Sequence, residues 1–226
     1  EAAVPAYARA LAASEESYAR WPDNPGRRRV GVSLTHLGIN LEGSGRHDEA
    51  MEAFDRAAAL IEPLVLEEPV NVGFKRDLWL LLLRRGEARL ARGERDAIDE
   101  LLRALEIKEW LAQSDPRDTG HQRGLSVTRF TVGRALAQLG RTNDAVRYVE
   151  GAVTLGDRLA NIDRNNLESR IDVAEFSLAL GGLLEQVGRD DEARAQRAAG
   201  VAGLRTCAAA NPRNQRVRAL LSSAGD

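Results

Sequence analysis

Four pairs of glycines set a beat that constrains this chain more than any other feature. They are Gly38 and Gly45, Gly86 and Gly93, Gly133 and Gly140, and Gly181 and Gly188. Within each pair the separation is seven residues, and successive pairs stand 48, 47 and 48 residues apart. Self-similarity at one fixed period means a stack of equivalent supersecondary units, so any fold assigned to the chain has to repeat with it.

Other positions keep the same time. After each second glycine comes a small–large–small signature: Ala50, Phe54, Ala57; Ala97, Leu101, Ala104; Ala145, Val149, Ala152; and a decayed Ala193, Arg197, Gly200. An apolar site follows at Leu64, Leu111, Leu159 and Cys207, and the unit ends at Pro69, Pro116, Arg164 and Pro212. Val30, Leu78, Leu125 and Val173 open the units. Spacings near multiples of 3.6 predict two amphipathic helices per unit, residues 26–42 and 48–67 in the first. The second glycine closes the first helix, because it accepts the left-handed turn. Asp48 suits the start of the second helix, where a carboxylate meets free amides.

Residues 1–22 repeat the second-helix pattern alone, with Ala3, Tyr7 and Ala10 matching Ala50, Phe54 and Ala57. Four whole units follow at 24–69, 70–116, 117–164 and 165–212, and residues 213–226 begin a further first helix. The expected architecture is a single all-α array over 1–226. With Glu1 at its start and Met51 as its sole methionine, the sequence reads as a piece of something longer, cut through the array at both ends.

Composition agrees. The chain is 43% hydrophobic but 4% aromatic, which suits helices held by small, close contacts. A net charge of −2 with only the short run Arg27, Arg28, Arg29 gives no concentrated basic face for nucleic acid. No run reaches the roughly 18 apolar residues of a membrane span, and no leader pattern opens the chain. Cys207 stands alone, which excludes an intramolecular disulfide and fits a reducing, cytoplasmic setting. Only Lys75 and Lys108 among 32 basic residues are lysine, a bias that points to a GC-rich bacterial genome.

The run "LGINLEGSGRHDEAMEAFDRAAAL" resembles the tetratricopeptide repeat, with its leucine–glycine, second glycine, alanine, aromatic and alanine landmarks. "VGRALAQLGRTNDAVRYVEGAV" and "LGGLLEQVGRDDEARAQRAAG" resemble further copies. The unit is longer than the usual repeat of about 34 residues, and is similar to a long-helix bacterial variant. The resemblance implies a right-handed α-solenoid whose first helices line a concave groove for a partner's peptide or helix. Arrays of this family in bacteria often sit beside kinase, protease-like or nucleotide-sensing domains, so the resemblance implies a neighbouring domain without naming it. The family's carboxylate-clamping groove uses lysine and asparagine at places that hold Thr35, Ile39, Leu83, Glu87, Phe130 and Arg134 here, so that specificity is not expected.

The groove is expected to present Thr35, Ile39 and Glu42; Leu83, Glu87 and Leu90; Phe130, Arg134 and Gln138; then Leu178 and Glu185. Apolar anchors with charges between them suit an amphipathic helix or extended segment. Leu37, Leu41, Val132, Leu136, Leu180 and Leu184 are expected to close the hairpin cores. Arg28, Arg76 and Arg123, each ten residues before a first glycine, form either a rim ladder for an acidic partner or ion pairs with the adjoining unit. The second unit is irregular. Arg85 and Arg89 take places that are apolar elsewhere, and a residue is missing before Ala97. A slipped first helix would expose both arginines, and a functional basic spot is the alternative. Trp79 and Trp110, in the same unit, are expected to be partly buried packing groups.

No chemistry is expected. His36, His47 and His121 lack the spacing of metal-ligand helices, and Cys207 sits where leucines sit in sister units. "EGSGRHDEA" lacks the ending of a phosphate loop, and Asp190, Asp191 and Glu192 complement a helix dipole. The reading is a non-enzymatic interaction scaffold, without cofactor or metal, for a protein or peptide. Homo-oligomerisation through self-association and a regulatory arm of a multidomain enzyme remain as alternatives.

Overall fold

Ten helices account for nearly all of the 3–225 region described by the computed structural model; Glu1, Ala2 and Asp226, which belong to the expected first and last segments, lie outside the described residues. The helices are α1 (Ala3–Arg20), α2 (Asn24–Gly43), α3 (His47–Glu67), α4 (Val72–Ala91), α5 (Ala97–Ser114), α6 (Thr119–Gln138), α7 (Thr142–Ile162), α8 (Leu167–Gln186), α9 (Asp190–Ala210) and α10 (Gln215–Ser223). No strand occurs among the described residues. The first repeat's two helices fall where the periodicity places them, α2 three residues longer and α3 one residue longer than expected.

Each glycine of a pair does a different job. Gly45 sits at φ 75° in the turn between α2 and α3, and its equivalents Gly93, Gly140 and Gly188 lie between 76° and 84°. That left-handed geometry lets the Arg46 amide reach back to the Leu41 carbonyl at 2.9 Å, closing the helix. Gly38 instead lies at a helix crossing, where a Cβ would stand 2.6 Å from the Phe54 ring. Gly86, Gly133 and Gly181 meet Leu101, Val149 and Arg197 in the same way. The repeated large residue of the second helix thus occupies the space that the first helix leaves by having no side chain.

A fifth set of positions keeps the beat. Asp23, Asn71, Asp118, Asn166 and Asn214 each precede a first helix, and each side chain accepts an amide hydrogen bond three residues on. Such a cap is worth about 1 kcal/mol. The regular second helices start differently. Arg46, Arg141 and Arg189 make no capping bond and instead pair with Glu49, Asp144 and Glu192 in the first turn.

The contacts divide the chain into two compact units, residues 1–111 and 112–226. In the first, α2 packs on α1 and α3, and α4 packs on α2 and α3. Ala50, Phe54, Ala57, Leu64, Leu34 and Leu81 are fully buried there. In the second, α6 to α10 pack in chain order, and α6 also touches α8. The α10 helix seats Val217 on a core of Ile171, Ala174, Leu204 and Cys207. Of the residues expected to close the hairpins, Leu41, Val132, Leu136, Leu180 and Leu184 are buried and Leu37 is half-buried.

The second repeat departs from the expected slip. Gly86 still meets Leu101 across the crossing, so α4 keeps its register. Arg85 and Arg89 are not exposed: their side chains retain 14% and 21% of their accessible surface. Arg85 Nε bonds Glu100 at 2.9 Å, and Arg89 bonds Glu100 at 2.6 Å, Glu94 at 2.7 Å and Asp96 at 2.9 Å. The missing residue is absorbed by α5, which starts at Ala97 itself, whereas α3, α7 and α9 start three residues before the equivalent alanine. Acidic groups around that shortened start satisfy both guanidiniums, which makes them a structural cluster.

Candidate functional site

In the first unit, α1, α2 and α4 enclose a cavity of about 680 Å³, within the usual range of ligand-sized clefts. Its apolar floor is Val32, Leu80 and the Trp79 ring. Its cationic wall is Arg28, Arg29 and Arg76, His36 lies beside them, and Asp77 is its one carboxylate. The cavity therefore draws on positions ten, six and two before the first glycine: Arg28, Val32 and His36 on α2, and Arg76 and Leu80 on α4.

That stripe differs from the expected groove face by about one residue, or 100° around a helix. Thr35, Leu83 and Phe130, three residues before their glycines, are buried at 3%, 2% and 6% exposure, and of the three only Thr35 borders the cavity. Thr35 Oγ1 donates to the Gly31 carbonyl at 2.9 Å, and the Phe130 and Phe176 rings pack at a tilt with centroids 4.4 Å apart. Leu178 packs toward Gly200 of α9. Leu83, Phe130 and Leu178 thus lie on a side of the first helix that is largely taken up by packing.

The other expected residues are placed as follows. Ile39, Glu87 and Leu90 are half-buried, and Arg134 and Gln138 are exposed. Glu87 pairs with Arg84 at 2.9 Å, and the Arg134 guanidinium lies 5.7 Å from the Phe130 ring centroid. Glu42 and Glu185 lie at hairpin ends, where Glu42 holds His47 at 2.8 Å and Glu185 holds Arg197 at 2.5 Å.

The arginine register resolves into two behaviours. Arg28 Nε bonds Asp77 at 2.5 Å, and Arg123 Nε bonds Asp172 at 2.7 Å, each reaching the next repeat. Their hydrogen-bonded carboxylates are nine residues before the next first glycine. The bond to Asp77 raises the Arg28 pKa above the ordinary arginine value, against the effect of burial. Arg76 makes no such bond: its one carboxylate neighbour among the described residues is Asp77 at 3.9 Å, and in sequence Gly124 stands where Asp77 and Asp172 stand in their repeats.

Trp79 is held from behind. The buried Lys108 places its Nζ 3.8 Å from the Trp79 ring centroid, and Lys75 lies 4.6 Å from that of Trp110. The chain's two lysines thus each face one of these two tryptophans, in an arrangement that fixes the indole bordering the cavity. Arg29, Val32, His36, Trp79 and Leu80 were not among the expected groove residues. The in-register pair Arg28 and Arg76 was the visible end of their stripe, since i+4 and i+8 from each lie on the same helix face.

No family model matches the sequence, and no curated protein matches it. Among solved structures, BtubC (BKLC) from P. vanneervenii superposes with a TM-score of 0.52 at 15% identity, covering 98% of this chain and 88% of that one. The fold is that of tetratricopeptide-type helix hairpins. MamA, at 0.48 and 15% identity over 92% and 95% of the two chains, is a looser tetratricopeptide-type likeness. So is YrrB, described as a TPR protein with an unusual peptide-binding site, at 0.41 and 13% identity over 94% and 90%. Neither superposition is close enough to bear on this tetratricopeptide-type array.

The described residues contain no group of three or more His, Cys, Asp or Glu side chains placed to hold a metal ion. Cys207 is buried, and burial pushes its thiol pKa up, away from the reactive thiolate. No helix among the described residues is long and apolar enough to cross a membrane.

Proposed function

We propose that this chain is a non-enzymatic scaffold that receives a partner's peptide or helix along the faces of its first helices. The observation that carries the reading is the α1–α2–α4 cavity, whose apolar floor of Val32, Leu80 and Trp79 is bordered by cationic groups. An apolar floor with a few polar groups above it is the anatomy of a recognition site. Within the same unit the half-buried Ile39 and Glu87 are further candidates for contact, and Arg134 and Gln138 are exposed on α6 of the other unit. The arginine bias and the single cysteine support a bacterial, cytoplasmic protein, and an interaction array of this kind suits a larger signalling or regulatory protein.

The test is a peptide-display selection against the full chain, with affinities of the selected peptides measured by calorimetry. Val32→Asp and Leu80→Asp are expected to abolish binding while circular dichroism shows unchanged helicity. Binding that survives both variants would remove this cavity from the reading.

A further inference from the structure

Ten of the fourteen arginines in the first unit reach a carboxylate within 3.2 Å; Arg9, Arg29, Arg76 and Arg95 do not. Arg27, Arg46, Arg56, Arg85, Arg89 and Arg92 each reach a carboxylate within 3.0 Å. Arg28, on the cavity wall, is taken up by Asp77. Of those other four, two face the same cavity. Arg29 makes no ion pair among the described residues, and Arg76, whose side chain is 56% exposed, has only the 3.9 Å approach to Asp77. His36 borders the same space, its ring stacked on Tyr7 with centroids 5.8 Å apart. The chain as a whole is slightly acidic, so this local excess of positive charge is not inherited from composition.

We propose that the cavity selects an acidic linear segment of a partner protein, with carboxylates meeting Arg29 and Arg76 and an apolar side chain between them over Val32 and Leu80. The inference rests on the scaffold reading above and deepens it. Arginine forks fit carboxylates by paired hydrogen bonds, and the flat apolar floor adds an anchor that a bare anion would not use. Nucleic acid fits less well. Backbone recognition draws on many phosphate contacts, and here two uncompensated guanidiniums stand in a chain of net negative charge. The Trp79 ring, held by Lys108, offers the segment a fixed wall.

The probe is a fluorescein-labelled nonapeptide of Glu-Glu-Leu repeats, read by anisotropy against the full chain, beside Gln-Gln-Leu and Lys-Lys-Leu counterparts. The acidic peptide should bind about tenfold or more tightly than the glutamine peptide, more weakly as salt rises, and the lysine peptide should not bind. Arg29→Glu and Arg76→Glu should each weaken the acidic peptide about tenfold, and Arg29→Gln and Arg76→Gln somewhat less. Arg95→Glu, an exposed site outside the cavity, should leave it unchanged. Equal binding of the acidic and glutamine peptides would overturn the charge selection and leave the scaffold reading standing. Failure of all three peptides, insensitivity to both glutamate variants with helicity intact, or tighter binding of a labelled oligouridylate would also overturn the inference.

Discussion

Two mid-helix glycines of the second unit allow the close crossing to be measured inside one molecule. A Cβ at Gly133 would stand 2.5 Å from Val149 Cγ2, 3.2 Å from the Ala145 carbonyl oxygen and 3.4 Å from Tyr148 Cβ. All three belong to α7, and a carbonyl and a Cβ cannot rotate out of the way. At Gly151 the nearest outside atom is Arg129 Cδ at 3.7 Å, ordinary contact with a flexible side chain. Both alanine variants gain the same helix propensity, about 1 kcal/mol. Gly133→Ala additionally bears the cost of overpacking, about 1–3 kcal/mol. Propensity cancels in the comparison, so Gly133→Ala should be less stable than Gly151→Ala by about 1–3 kcal/mol. At this chain length that corresponds to about 2–12 °C in Tm. Thermal and urea unfolding followed by circular dichroism measure the difference. Adding Val149→Ala to Gly133→Ala should recover part of the loss, as a positive coupling in a double-mutant cycle. Equal stabilisation by both glycine substitutions would refute the account of why the first glycine recurs.

Further outcomes follow from the ion pairs and the core. Asp172, almost wholly buried, accepts from Arg123 at 2.7 Å and from Arg216 at 2.8 Å, tying α6 and α10 to α8; Asp172→Asn should lower stability by about 1–3 kcal/mol in urea titration. Asp48, Glu49, Glu67, Asp144 and Glu192 have carboxyl pKa values held down by hydrogen bonds from Arg92, Arg46, Arg27, Arg141 and Arg189. Their folded values lie below their unfolded ones. The unfolded chain therefore takes up protons first, and stability should hold to about pH 4.5 and fall on further acidification. A Tm that rises as pH falls through that range would contradict the sign. Cys207 should resist a thiol reagent such as Ellman's in the native protein at mildly alkaline pH and react fully in denaturant, whereas rapid native labelling would contradict its burial.

The hairpins were legible because their determinants are local and repeated. A glycine at each turn, a glycine at each crossing and the large residue opposite it recur in a register that the sequence displays directly. The caps Asp23, Asn71, Asp118, Asn166 and Asn214 keep the same period into a fifth unit, but the sequence reading did not pick them out. The groove face was harder to read. Positions two and three before the glycine differ by 100° of rotation, and both carry mixed residues, His36 and Arg84 at one, Thr35 and Leu83 at the other. Which one turns inward is decided by packing between hairpins, where Leu83 and Phe130 are taken up and His36 is left at the cavity. Arg85 and Arg89 misled for a related reason: their partner Glu100 belongs to another helix, and the shortened start of α5 brings Glu94 and Asp96 into reach.

The account turns on which side of the first helices meets a partner, and site-specific photocrosslinking tests that most directly. A benzoylphenylalanine introduced at Leu80, on the cavity floor, and another at Glu106, exposed on α5, would each be irradiated with a display-selected peptide. Crosslinking at position 80 and none at position 106 is the predicted result. Crosslinking at 106 with position 80 silent would place the partner on the other side and contradict the account.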